Sequence, residues 1–222
     1  MKKQFLAGRL LLALILCAVV SFTACSTAWV GQAEEIVAAL IPAAANLIAL
    51  VSALQGKSVS AADLQAIQSA GSQAGADLQL IQTLIAQYQK ADAATQPGIL
   101  NQIESAIGAA QANLNGILPA LHIKDAATQA KISAVVGVLL SEVQSLAAIV
   151  PLVKAGASPQ ALSMAERQVK KQAPLSAVEF VNSYNATMTA KTGNADVDRA
   201  TAGLRIHAHG KLARWASVGM MK

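Results

Sequence analysis

Apolar residues recur along this chain at spacings of three and four in four long runs. The first is Val30, Ala33, Val37, Leu40, Ala44, Leu47, Val51 and Leu54, and the second is Leu64, Ile67, Gly71, Ala74, Leu78, Ile81, Ile85 and Tyr88. The third is Leu100, Ile103, Ile107, Ala110, Leu114, Ile117 and Leu121, and the fourth is Ile132, Val135, Leu139, Val143, Leu146, Val150 and Val153. A mean spacing of about 3.5 keeps one seam of each helix facing its neighbours as the helices wind round one another in a left-handed sense. Val, Ile and Thr are scattered rather than alternating, so the pattern selects helix over strand.

The stretches between the runs carry the matching punctuation. Ser60 is placed to cap the second helix, with Asp63 in its first turn and Val59 positioned to staple against Leu64. Thr95 with Pro97 opens the third helix, and Asp125 caps the fourth. The connections "GKSVS", "ADAAT" and "HIK" are short, which forces consecutive helices to run antiparallel. The expected fold is all-α: an up-down-up-down left-handed four-helix bundle over residues 25–155, with a basic, partly flexible C-terminal helical extension over 156–222.

In that extension, Ser158 and Pro159 start one short helix. A second has Val178, Val181, Tyr184 and Met188 on one face and ends at Gly193, and a last helix is capped near Asn194.

Two of the four helices are apolar beyond one seam. Ile36 to Leu54 holds 19 residues without a charge, and Ile132 to Val153 is interrupted only by Glu142, Gln144 and a few serines. A helix apolar on all sides lies either in a core or in a membrane. These two therefore either meet extra neighbours, such as the C-terminal region folding back on them, or insert into a bilayer as a hairpin. Pro42 and Pro151 are expected to bend them.

Lys2, Lys3 and Arg9 precede a stretch from Leu10 to Ala33 without a charge, and small residues follow its most apolar part, "LLLALILCAVV". That is the order of a secretory signal. In "FTAC", Thr23 and Ala24 precede Cys25. This segment resembles the lipobox of bacterial lipoproteins, departing from it at Phe22, where Leu is commoner. Cys17 follows Leu16, where the lipobox has a small residue. The resemblance covers only the signal segment and implies removal of residues 1–24, a diacylglycerol on the sulfur of Cys25 and a further acyl chain on its new N-terminus. Two or more acyl chains hold a protein on its membrane, whereas one does so only marginally. An ordinary cleaved signal and an uncleaved anchor helix are the alternatives, and all three carry the rest of the chain out of the cytoplasm. The implied address is a bacterial cell envelope, on the periplasmic face of the outer membrane if the cell is Gram-negative.

Charge divides the chain. Residues 25–155 hold five basic and eight acidic side chains, whereas residues 156–222 hold nine basic and four acidic. Near the end, "RIHAHGKLARW" groups Arg205, Lys211, Arg214 and Trp215, a basic patch with an aromatic that suits an anionic lipid or envelope polymer. Export removes nucleic acid from the expected partners.

Cys17 and Cys25 are the only cysteines, so processing at Cys25 leaves no thiol for a disulfide or a thiolate metal site. His207 and His209 are two apart, which on a helix points them to different sides, and no Cys, Asp or Glu lies near enough in sequence to complete a metal site. His122 stands in a loop. No phosphate loop, metalloprotease helix or nucleophile elbow is present. The expectation is a non-enzymatic structural or interaction protein without catalytic residues, cofactor or metal; the alternative is a membrane-active or pore-forming protein. Trp29, four residues past Cys25, suits either a membrane interface or a place against the bundle.

Overall fold

The structure, a computed structural model, describes residues 29–154 and 176–207. Four long helices, α1 (Trp29–Ala53), α2 (Ala61–Lys90), α3 (Gln96–Ala120) and α4 (Ala126–Lys154), are followed by α5 (Ala177–Thr189) and α6 (Ala195–Thr201). The long helices pack on one another as an all-α bundle, and the described residues contain no strand. Polar ties across the bundle follow from antiparallel neighbours: Asn113 of α3 donates to Asp77 of α2 at 2.8 Å, and Lys154 at the end of α4 meets Glu104 near the start of α3 at 2.6 Å.

The seams are the core. Every seam residue named above is buried except Leu121 and Val153 at helix ends, which are partly covered. The helices approach closely where a seam residue is small. A Cβ on Gly71 of α2 would meet Ile48 of α1 at 3.0 Å, so the absent side chain sets the spacing of that pair.

Beyond their seams, α1 also buries Ile36, Ala39, Ala43 and Leu50, and α4 buries Val136, Leu140 and Ile149. The C-terminal region supplies part of the cover. α5 and α6 pack on α4, the α5 residues Phe180, Tyr184 and Met188 are fully buried, and Asn46 of α1 donates to the Leu204 carbonyl at 3.0 Å. Burying a side chain such as Phe180 or Met188 contributes about 1.5–3 kcal/mol over leaving it in water, before the cost of ordering the helix. The account in which the two apolar helices meet extra neighbours describes this fold, although both are also long and apolar enough to cross a membrane.

Three prolines lie inside helices: Pro42 in α1, Pro119 in α3 and Pro151 in α4. Each leaves the carbonyl four residues earlier without its helical donor. Those carbonyls belong to Ala38, Asn115 and Ala147, at exposed or half-exposed positions.

Several local expectations hold. Ser60 caps α2 by accepting from the Asp63 amide, the Asp125 carboxylate accepts from the Thr128 amide at 2.7 Å, and Asn194 caps α6. Gly193, with φ of +80°, turns the chain between α5 and α6.

Three differ. Thr95 stands at the cap position of α3 in helical backbone conformation and its hydroxyl makes no capping bond; Asp92 accepts the Thr95 amide at 2.8 Å instead. On α5 the buried face is Ala177, Phe180, Val181, Tyr184 and Met188, with Val178 only half-buried, because Phe180 is the larger apolar group and rotates the helix towards itself. Trp29 is 5% exposed and sits edge-on to Tyr88 with ring centroids 5.4 Å apart, so it packs on the bundle and does not face outward as an interfacial residue would. The expected helix after Ser158 lies outside the described residues.

Candidate functional site

Where the α1–α2 turn, the α3–α4 turn and the start of α6 meet, they enclose a cleft of about 730 Å³. It stands at the pole of the bundle opposite Trp29. Gly56, Lys57, Ser58 and Ser60 line it from the first turn, His122, Lys124 and Asp125 from the second, and Asn194 and Asp196 from α6, with Asp63 at its base. Gly56 permits the first turn, its φ of +76° being a conformation that a side chain resists.

Asp63 organises the base. Its side chain is 6% exposed, and it accepts hydrogen bonds from the Ser60 hydroxyl and from the His122 amide at 3.0 Å. These bonds, the Ser60 hydroxyl first, hold its carboxyl below the usual carboxylate range against the opposing effect of burial. The His122 ring stands above it, with Nδ1 3.6 Å from Asp63 Oδ1 and the side chain 83% exposed. A buried anion in α2 thus fixes the α3–α4 turn and presents an imidazole to the cleft. Ser60 gives its hydroxyl to the Asp63 carboxylate and accepts the Asp63 amide, the reciprocal pairing of a helix cap.

The other two carboxylates are also engaged. Asp125 accepts from the Thr128 amide and hydroxyl and from Asn194 at 3.2 Å, which ties α6 to the α4 cap. The Thr128 hydroxyl is fully buried and lies 2.8 Å from that of Ser58, joining the same cap to the first turn. Asp196 receives Lys57 at 2.8 Å and Arg199 at 3.3 Å. Lys57 first, by hydrogen bond and by charge, holds the Asp196 carboxyl below its ordinary value. The lining thus mixes three carboxylates with Lys57, Lys124 and His122, and Ser58 and Asn194 add neutral polar groups.

Of the expected site residues, only Arg205 is among those described. Cys25, Lys211, Arg214, Trp215 and His209 lie outside the described residues. Arg205 is exposed on a segment pinned by Asn46 through Leu204 and by Asn185, which exchanges two 2.9 Å hydrogen bonds with Ile206; His207 is exposed just beyond it. Neither Arg205 nor His207 lines the cleft. Among the described residues, no group of three or more His, Cys, Asp or Glu is placed to hold a metal ion.

Sequence reasoning took Asp63 only as a first-turn acid and His122 only as a loop residue, since nothing in a linear pattern joins positions 59 apart. It also passed over Glu142, which was visible as the one charge inside the fourth apolar run. This residue is fully buried, and neither carboxylate oxygen has a hydrogen-bond partner. Burial first, and then the negative charge of Glu179, push its carboxyl up to about 8. The Tyr184 hydroxyl is likewise buried without a partner; Asn46 gives its amide to Leu204, and burial raises the phenol above its usual value.

Compared with protein-family models, curated proteins and solved structures, the chain matches none of them.

Proposed function

We propose that this protein is a lipid-anchored component of a bacterial cell envelope with a structural or binding role and no catalytic one. The observation that carries the reading is the order of the first 25 residues: a basic start, an apolar run, then "FTAC". Acyl chains on Cys25 supply the membrane attachment. Only Ser26, Thr27 and Ala28 separate that residue from α1, so the pole that holds Trp29 and Tyr88 lies next to the bilayer. The 25 residues of α1 span about 37 Å, which carries the cleft to the far side, away from the lipid. Arg205, Lys211, Arg214 and Trp215 offer a second contact with an anionic lipid or envelope polymer.

The burial of Phe180, Tyr184 and Met188 in the common core supports a peripheral bundle over an inserted one. Length and apolarity of α1 and α4 favour the second reading, a hairpin that enters the membrane. Mass spectrometry of the mature N-terminal peptide tests the anchor: an acylated peptide beginning at Cys25 is expected, and an unmodified start elsewhere removes the proposal. Carbonate washing of membranes from cells making Cys25→Ala separates the two readings. Release of the variant is expected from the anchored bundle, and retention from the inserted hairpin.

A further inference from the structure

We propose that α5 is a proton-controlled strap: with Glu142 protonated its first turns close over α4, and with Glu142 ionised they lift while Lys131 keeps the other end in place. The proposal concerns the bundle itself and stands whether or not Cys25 carries lipid.

The geometry of α4 against α5 sets the device. Lys131 of α4 is 4% exposed, and its ammonium donates to the carbonyls of Thr187 at 2.7 Å and Ala190 at 2.6 Å, closing the C-terminal end of α5 from a neighbouring helix. Glu142 lies eleven residues further along α4, about 16 Å away. Eleven residues back from Ala190, the antiparallel α5 reaches Glu179, in its first turn. A cation thus fastens one end of the strap, and a buried carboxyl lies beneath the other.

Among the described residues, no countercharge answers Glu142. On α5 the sole charge is Glu179, which repels it. The charges of α1 are Glu34 and Glu35, both in its first two turns, and that of α3 is Glu104, already paired with Lys154. On α4 itself the remaining cations are Lys131, engaged with α5, and Lys154, engaged with Glu104. On α6, Asp196 pairs with both Arg199 and Lys57, while Asp198 accepts from the Thr192 amide and hydroxyl. The positive end of the α5 dipole is answered by Glu179 in its own first turn. An ionised Glu142 therefore has to reach water, and α5 is the thinnest cover. It is a 13-residue helix, whereas α2 and α3 have 30 and 25 residues.

Hydrogen exchange read by mass spectrometry on the full chain at pH 6 and pH 9, corrected for the intrinsic effect of pH, tests this. Peptides from 177–189 should exchange tenfold or more faster at pH 9 with those of α2 and α3 unchanged; Glu142→Gln should abolish the rise, and Glu179→Gln should make it smaller. The proposal is overturned if α2 and α3 accelerate in step with α5, if the wild type shows no rise, or if Glu142→Gln retains it.

Discussion

Helices α2 and α3 differ from α1 and α4 in the breadth of their apolar surface, although all four carry the same seam. Outside the seam, α2 and α3 turn Gln65, Gln73, Gln79, Asn101, Gln102 and Asn115 to water. The outward positions of α1 and α4 are small and neutral, among them Ala38, Ala45, Ala49, Ala130, Ala134 and Gly137. The period of a hydrophobic pattern reports that a helix packs, and its width reports how many neighbours it meets. Here the wider pair meets the C-terminal extension as well as the bundle. The same width makes α1 and α4 resemble membrane spans by length and composition, so in this chain an apolar run is decided by what folds back onto it.

The largest expected effect tests Glu142, the one charge inside the fourth apolar run. Because the Glu142 carboxyl is raised in the folded state from an ordinary 4.5 to about 8, its contribution to stability is present below about pH 4.5 and is lost as pH rises through 8. Glu142→Gln should therefore stabilise the protein by up to about 4–5 kcal/mol at pH 9 and by little at pH 4.5, read as denaturation midpoints across pH. A variant no more stable at pH 9 than the wild type would mean that α4 accommodates a charge as α2 does.

Next is the cover. Phe180→Ala should cost about 3–4 kcal/mol and raise binding of an apolar dye, because it opens the side of the bundle where α1 and α4 are widest. Leu80→Ala, on a side chain 49% exposed on α2, should change thermal stability by less than about 0.5 kcal/mol. Equal losses at the two positions would erase the distinction between the helix pairs.

Smaller effects refine it within the polar pair. Ser60→Ala removes the α2 cap and a donor to Asp63, and should cost about 1–2 kcal/mol in urea denaturation. Gly108→Ala, where nothing lies within 4 Å of the added carbon, should gain about 0.5–1 kcal/mol; Gly71→Ala should give no gain, since Ile48 has to yield. A gain at Gly71 equal to that at Gly108 would show that the α1–α2 approach is loose.

The seams, the Ser60, Asp125 and Asn194 caps and the number of long helices were legible because their causes are local: a period, or a side chain three residues from its acceptor. The Asp92 bond that displaces the expected Thr95 cap is just as short in range, but two oxygen-bearing residues compete there and the turn geometry chooses between them. The cleft was not legible. It rests on Asp63 meeting His122 and on Asp125 meeting Asn194, contacts that exist only once the two turns and α6 share one pole. The meaning of Glu142 depended on its surroundings as well: the sequence displays an acid in an apolar run, and only packing decides whether that acid reaches water.

The edge-on contact of Trp29 with Tyr88 makes the protein its own optical gauge. An indole held in the core 5.4 Å from a phenol accepts excitation from it and emits as a group shielded from water. This emitter sits at the far pole from α6 and the cleft. With Trp215 replaced by Phe, fluorescence reads the Trp29 end alone, so a strap that opens by itself stays dark to light and visible to exchange.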